Sequence, residues 1–209
     1  MKFFDLEERT TPSLVTTLKD HNGDPLGSAD LDTLTLTYYD VDIFPDLTPV
    51  EYGTVAFVAP SQIIRSQGSW VTDGYGMPGR VIQVSGAAQG GNNGTFTVVS
   101  ATATILTIKQ AALQDESSSA TETVADTGII NERDAQDVLN LNGVQIDTGG
   151  TLTWALVTNE TQIAKSSSLF EVRKALFEWT WTVQVGMEDV IKRDHQEITF
   201  RVFNRGKIE

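Results

Sequence analysis

The sequence predicts an all-β protein: a β-sandwich with a smaller β-module inserted between two of its strands. Three observations lead there. Short stretches alternate apolar with polar residues and are rich in Val, Ile, Thr and aromatic side chains, as half-buried strands are. Turn residues (Gly, Asn, Asp, Pro) interrupt these stretches at short, regular intervals. Finally, residues 54–127 are poor in charge and rich in Ser, Thr, Gly, Ala and Val, and they separate two flanks of similar texture.

Taken in order, the first strand is predicted over 12–20, where Leu14, Thr16 and Leu18 alternate with Val15, Thr17 and Lys19. The turn sequence His21-Asn22-Gly23-Asp24-Pro25 ends it. Thr33 to Tyr39 alternates cleanly and places a strand over 32–40, and an acidic, Pro-containing loop follows over 40–50. Between 54 and 127 the pattern gives short strands at 54–58, 61–66, 80–85, 95–101, 104–109 and 119–125. Beyond it, 128–131 reads as a short strand, 131–140 as a helical turn or an irregular loop, Asn142-Gly143 as a hairpin turn and 151–157 as a strand. A Ser-rich loop runs to Ser168. In 171–184, Ala175, Phe177, Trp179 and Trp181 share one side, and this period of two makes the segment a strand and not a helix. The last strand is expected at 196–204, after a charged connection over 186–194. Strands that complete one another flank the middle segment, so it reads as an insertion: 1–53 with 128–209 as one discontinuous sandwich, 54–127 as the inserted unit.

Composition narrows the chemistry. There is no cysteine, hence no disulfide, thiolate or Cys-based zinc site. The net charge of −13 disfavours nucleic acid or an anionic membrane as partner, and 1–53 holds most of it, with 11 acids against 3 bases. No apolar run approaches the length of a membrane helix, and the N-terminus lacks the apolar stretch of a signal peptide. The stretch VIQVSGAAQGGNNGTFTVVS (81–100) lacks the G-x-G-x-x-G spacing and is followed by a strand, so its glycines read as a hairpin tip and not a phosphate cradle. His21 and His195 are expected at the surface, away from any nucleophile. Asp40, Asp42 and Asp46 are calcium candidates, set against a plain solvated acidic loop. Trp70 and Tyr75 could stack on a sugar, or equally anchor the core of the module. No cofactor is expected.

Two stretches resemble known families. Arg65, Gly68-Ser69-Trp70, Asp73-Gly74-Tyr75, Gly79 through Gly86, Asn93 to Val98, Leu106-Thr107-Ile108 and Glu116 follow the pattern of a small β-module recurring in structural proteins of tailed bacteriophages. The loop at 87–92 is longer and richer in glycine than in those modules. PSLVTTLKDHNGDPL (12–26), GIINERDAQDVLNLNGVQIDTGGTLTWAL (128–156), KALFEWTW (174–181) and EITFRV (197–202) are similar to immunoglobulin-like domains of phage virion proteins, including the N-terminal domains of baseplate upper proteins. The resemblance implies an immunoglobulin-like β-sandwich carrying a small β-barrel or sandwich module. It also implies a virion structural protein of the neck, tail, baseplate or head fibre, assembled in the host cytoplasm with other virion proteins and in symmetric copies of itself. No catalytic residue carries over. A receptor- or carbohydrate-binding adhesin is the alternative, and pairing through the edges at 12–20 or 196–204 is the expected mode of assembly.

Overall fold

The computed structural model describes residues 3–42, 44, 46–164 and 167–206. Its strands are β1 (Phe3–Glu7), β2 (Ser13–Thr17), β3 (Thr33–Asp40), β4 (Val55–Val58), β5 (Gln62–Arg65), β6 (Arg80–Ser85), β7 (Gly94–Ala101) and β8 (Ile105–Ile108). They continue with β9 (Glu116–Ser119), β10 (Thr123–Ile130), β11 (Gln136–Asp137), β12 (Val144–Ile146), β13 (Thr151–Ala155), β14 (Phe170–Val185) and β15 (Glu188–Phe203). Among the described residues helical structure is confined to single turns, such as Pro49–Tyr52. The protein is all-β.

Two sheets make the sandwich. One runs β1-β15-β14-β3, and the other is β12-β13-β2. In strand order these match the G-F-C and D-E-B strands of an immunoglobulin sandwich. Alternation explains the core between them. Leu34, Leu36 and Tyr38 of β3, with Phe177 and Trp179 of β14, face Leu14, Leu152 and Trp154 of the smaller sheet. The Trp154 ring meets Tyr38 edge-on at 5.1 Å and Phe177 at 5.8 Å between centroids.

A second core is built wholly from residues between 47 and 124, among them Phe57, Ile63, Trp70, Tyr75, Ile82, Phe96 and Leu106. Its strands extend the larger sheet in the order β10-β6-β7-β8-β5-β4-β9. The two cores therefore share one continuous hydrogen-bonded sheet. β10 is the connecting strand: Thr123–Asp126 pair with β6, the register slips, and Ile129 pairs with Tyr39 of β3. Gly128, at φ +75°, occupies the irregularity where an L side chain would be strained.

Three expectations change, and at 131–140 the irregular loop, one of the two forms expected, is the one found. Residues 119–125 are two strands, β9 and β10, broken around the buried Glu122. The segment 131–140 is irregular, with left-handed backbone at Asn131, Glu132, Ala135 and Asn140, and its 136–137 pair with β3 as β11. Residues 188–194 are not a connection but the first half of β15, paired with β14 as far as Val185. The N-terminal β1, unexpected in so short and acidic a stretch, pairs parallel with 199–203 and covers that part of the predicted free edge.

Candidate functional site

The residues singled out by sequence are dispersed. Asp40 ends β3 on its inward phase and is 1% exposed. It faces Arg80 at 3.0 Å and Arg173 at 3.9 Å, whereas Asp42 and Asp46 lie exposed in the following loop. Among the described residues no three His, Asp or Glu gather as metal ligands. Asp40 is thus committed to two guanidinium groups, and the calcium reading of this loop falls with it. Trp70 and Tyr75 are 0% and 1% exposed; the Trp70 N–H donates to the Thr104 carbonyl and the Tyr75 hydroxyl to that of Val124. They anchor the second core and offer no face to a sugar. Both histidines are exposed; His21 stacks on Trp181 at 6.2 Å.

The motif residues of 65–116 do converge, on each other. Arg65 is buried, lies 4.8 Å over the Trp70 ring and donates to Asp73 at 2.7 Å, to the Gln67 carbonyl and to the Glu51 carbonyl. Its guanidinium passes so close to Gly68 that a Cβ there would sit 2.1 Å from Nη2, which is why glycine stands at that position. The glycine-rich loop joining β6 to β7 folds around an anion after all, and that anion is internal. The Glu116 carboxylate accepts the Ala88 and Gln89 N–H groups at 2.8 and 3.0 Å and the Asn92 side-chain amide at 2.9 Å. Slight burial works to raise the Glu116 pKa, but these donors outweigh it and hold the carboxyl below its usual range.

Between the two cores lies a cluster of buried charge. Arg80 of β6 grips Asp126 of β10 through two nitrogens, Nε at 2.7 Å and Nη2, and reaches Asp40 with the third. Arg173 of β14 donates to the Glu160 carbonyl at 2.7 Å, to Glu171 at 2.8 Å and to the Gln162 carbonyl. Arg133 holds the Glu160 carboxylate at 2.8 Å. Burial pushes the Asp40 carboxyl upward against the pull of Arg173 and Arg80, and it raises the Tyr38 hydroxyl in the same way. The sequence held a signal for this cluster that composition alone hides. Asp40, Arg80, Asp126 and Arg173 stand on strands at buried positions, where apolar residues belong.

The most exposed apolar feature is the β14–β15 ribbon. Its last pairing with β3 is at Thr180, and it runs on to Val185, about 17 Å further. Val183, Val185 and Val190 lie on the same face as the core residues Phe177, Trp179 and Phe200; Val183 still packs against the sandwich core, and beyond it Val185 and Val190 share the face with Lys192 and Glu188. Val185 is 59% exposed, and Met187, in the turn, is fully exposed. Ile191 is exposed on the opposite face. Elsewhere a cleft of about 610 Å³ opens between the cores, lined among others by Arg9, Met77, Ile163 and Arg205.

No family model matches the chain, and no curated protein or solved structure matches it either.

Proposed function

We propose that the protein is a non-enzymatic structural component of a tailed-phage virion that assembles through protein–protein contacts. The observation that carries this reading is the β14–β15 ribbon. The core-facing side of the ribbon continues past the half-buried Val183 to Val185, which is 59% exposed, and an exposed Met187 tips it. Apolar surface held out on a stiff two-stranded ribbon suits insertion into a neighbouring subunit, with the buried charge cluster fixing the angle at which the second unit is carried. The resemblance of 65–108 and of the flanking segments to phage structural domains supplies the particle. The adhesin alternative took Trp70 and Tyr75 as its contact, and the burial of both gives it no support.

The test is gold-labelled antibody against the purified chain, applied to particles from a host carrying the gene, together with Met187→Asp. Labelling at one fixed place on the particle is expected, and the variant is expected to fold but to be missing from purified particles. Particles without label would overturn the reading.

A further inference from the structure

The free edge of β2 is the second unusual surface, and its chemistry is opposite to what an exposed edge normally shows. β2 ends the sheet β12-β13-β2. The bonds Leu18 N–H to Gly150 and Leu156 N–H to the Pro12 carbonyl show that its even-numbered residues point their backbone groups at β13. The N–H and C=O groups of Ser13, Val15 and Thr17 therefore point outward, and among the described residues none of them has a partner. Natural edges are blunted by Lys, by an interior Pro or by a bulge. Here SLVTT has none of these, Val15 is 59% exposed, and no ionisable side chain occurs from Thr10 to Leu18. Beside it a groove of about 270 Å³ is lined by Phe4, Leu14, Gln196 and Ile198, with Glu197, which is paired to Lys174 at 2.8 Å, on its wall.

We infer that β2 pairs antiparallel with β2 of a second copy of this chain, about a two-fold axis through Val15. A two-fold axis perpendicular to a sheet puts a residue opposite itself, and the outward bonding phase of Val15 makes it such a centre. Val15 then exchanges both hydrogen bonds with Val15 of the second copy, and Ser13 exchanges both with Thr17. Leu14 comes to lie opposite Thr16, which joins the groove-lining apolar surfaces of the two copies. The choice of a second copy rests on charge. Each chain carries −13, so a second copy is accommodated where its own strand brings no like charge, and 10–18, without an ionisable side chain, meets itself on those terms. The inference rests on the reading above only in that the protein assembles as symmetric copies.

The absence of cysteine makes the test specific. Opposed residues of a hydrogen-bonded pair have Cα atoms about 5.5 Å apart, within disulfide range. Purified Val15→Cys should form a covalent dimer under mild oxidation at least about tenfold faster than Val99→Cys, an exposed strand control, because pairing raises the effective thiol concentration. In sedimentation up to about 1 mM chain, the wild type should show dimer, and Val15→Lys should be monomeric with unchanged melting temperature. Equal cross-linking rates for the two cysteine variants, or a wild type that stays monomeric throughout, would overturn the inference. Either result leaves the gold-labelling outcome untouched, so the two readings fail separately.

Discussion

Arg80 answers two buried carboxylates at once, and its replacement is the sharpest test of the charge cluster. Arg80→Leu leaves Asp40 and Asp126 facing each other without their shared cation, at a cost of about 3–5 kcal/mol. The Asp40 carboxyl, already pushed upward by burial, would then lose one of the two cations that oppose the rise. Its penalty is present at neutral pH and relieved as pH falls through the raised carboxyl pKa, so the variant should recover relative to wild type on acidification. Chemical denaturation at several pH values measures this, and a penalty independent of pH would show that the carboxylates find other cations. Glu116 has the opposite sign. Its folded pKa is depressed, so its contribution is complete above the unfolded value of about 4.3 and is lost as pH falls through the folded one. Glu116→Gln should speed hydrogen exchange at the Ala88 and Gln89 amides while the β6–β7 ladder stays protected. Trp70→Ala should cost about 3–5 kcal/mol as a core truncation.

Among the elements, alternation made β3, β13 and β14 legible, because a period of two with one buried face leaves a mark that survives without any neighbour. β1 and the outer half of β15 left no such mark. Phe3–Glu7 has few residues to alternate and is held by its parallel partner, and 188–194 is charged because much of it stands in solvent. The glycine-rich loop was legible as a hairpin connection, yet its internal anion was not, since Glu116 lies more than twenty residues downstream. The ribbon tip was hidden for a related reason: Val183 and Val185 continue the phase of Trp179 and Trp181, and sequence does not tell where the opposing sheet stops. Met187→Asp, at a fully exposed turn residue, should change stability by less than about 0.5 kcal/mol by thermal melting, so that any loss of assembly can be assigned to the surface and not to the fold.

Across the whole molecule, two cores share β10 and are joined by Arg80, Asp126, Asp40 and Arg173. A chain cut between 127 and 128 would divide a strand, not a linker. Calorimetry should therefore show one cooperative transition, with calorimetric and van't Hoff enthalpies equal; two resolved peaks would mean that the shared strand does not couple the cores. The terminal strands add a consequence of a mechanical kind. β1 and β15 are parallel neighbours, with Phe3 beside Thr199 and Glu7 beside Phe203. A chain drawn by its two ends loads this pair lengthwise, so the bonds of the ladder share the force together and cannot peel one after another. Under tension between its ends, β1 and β15 would act as the clamp that keeps the sandwich shut.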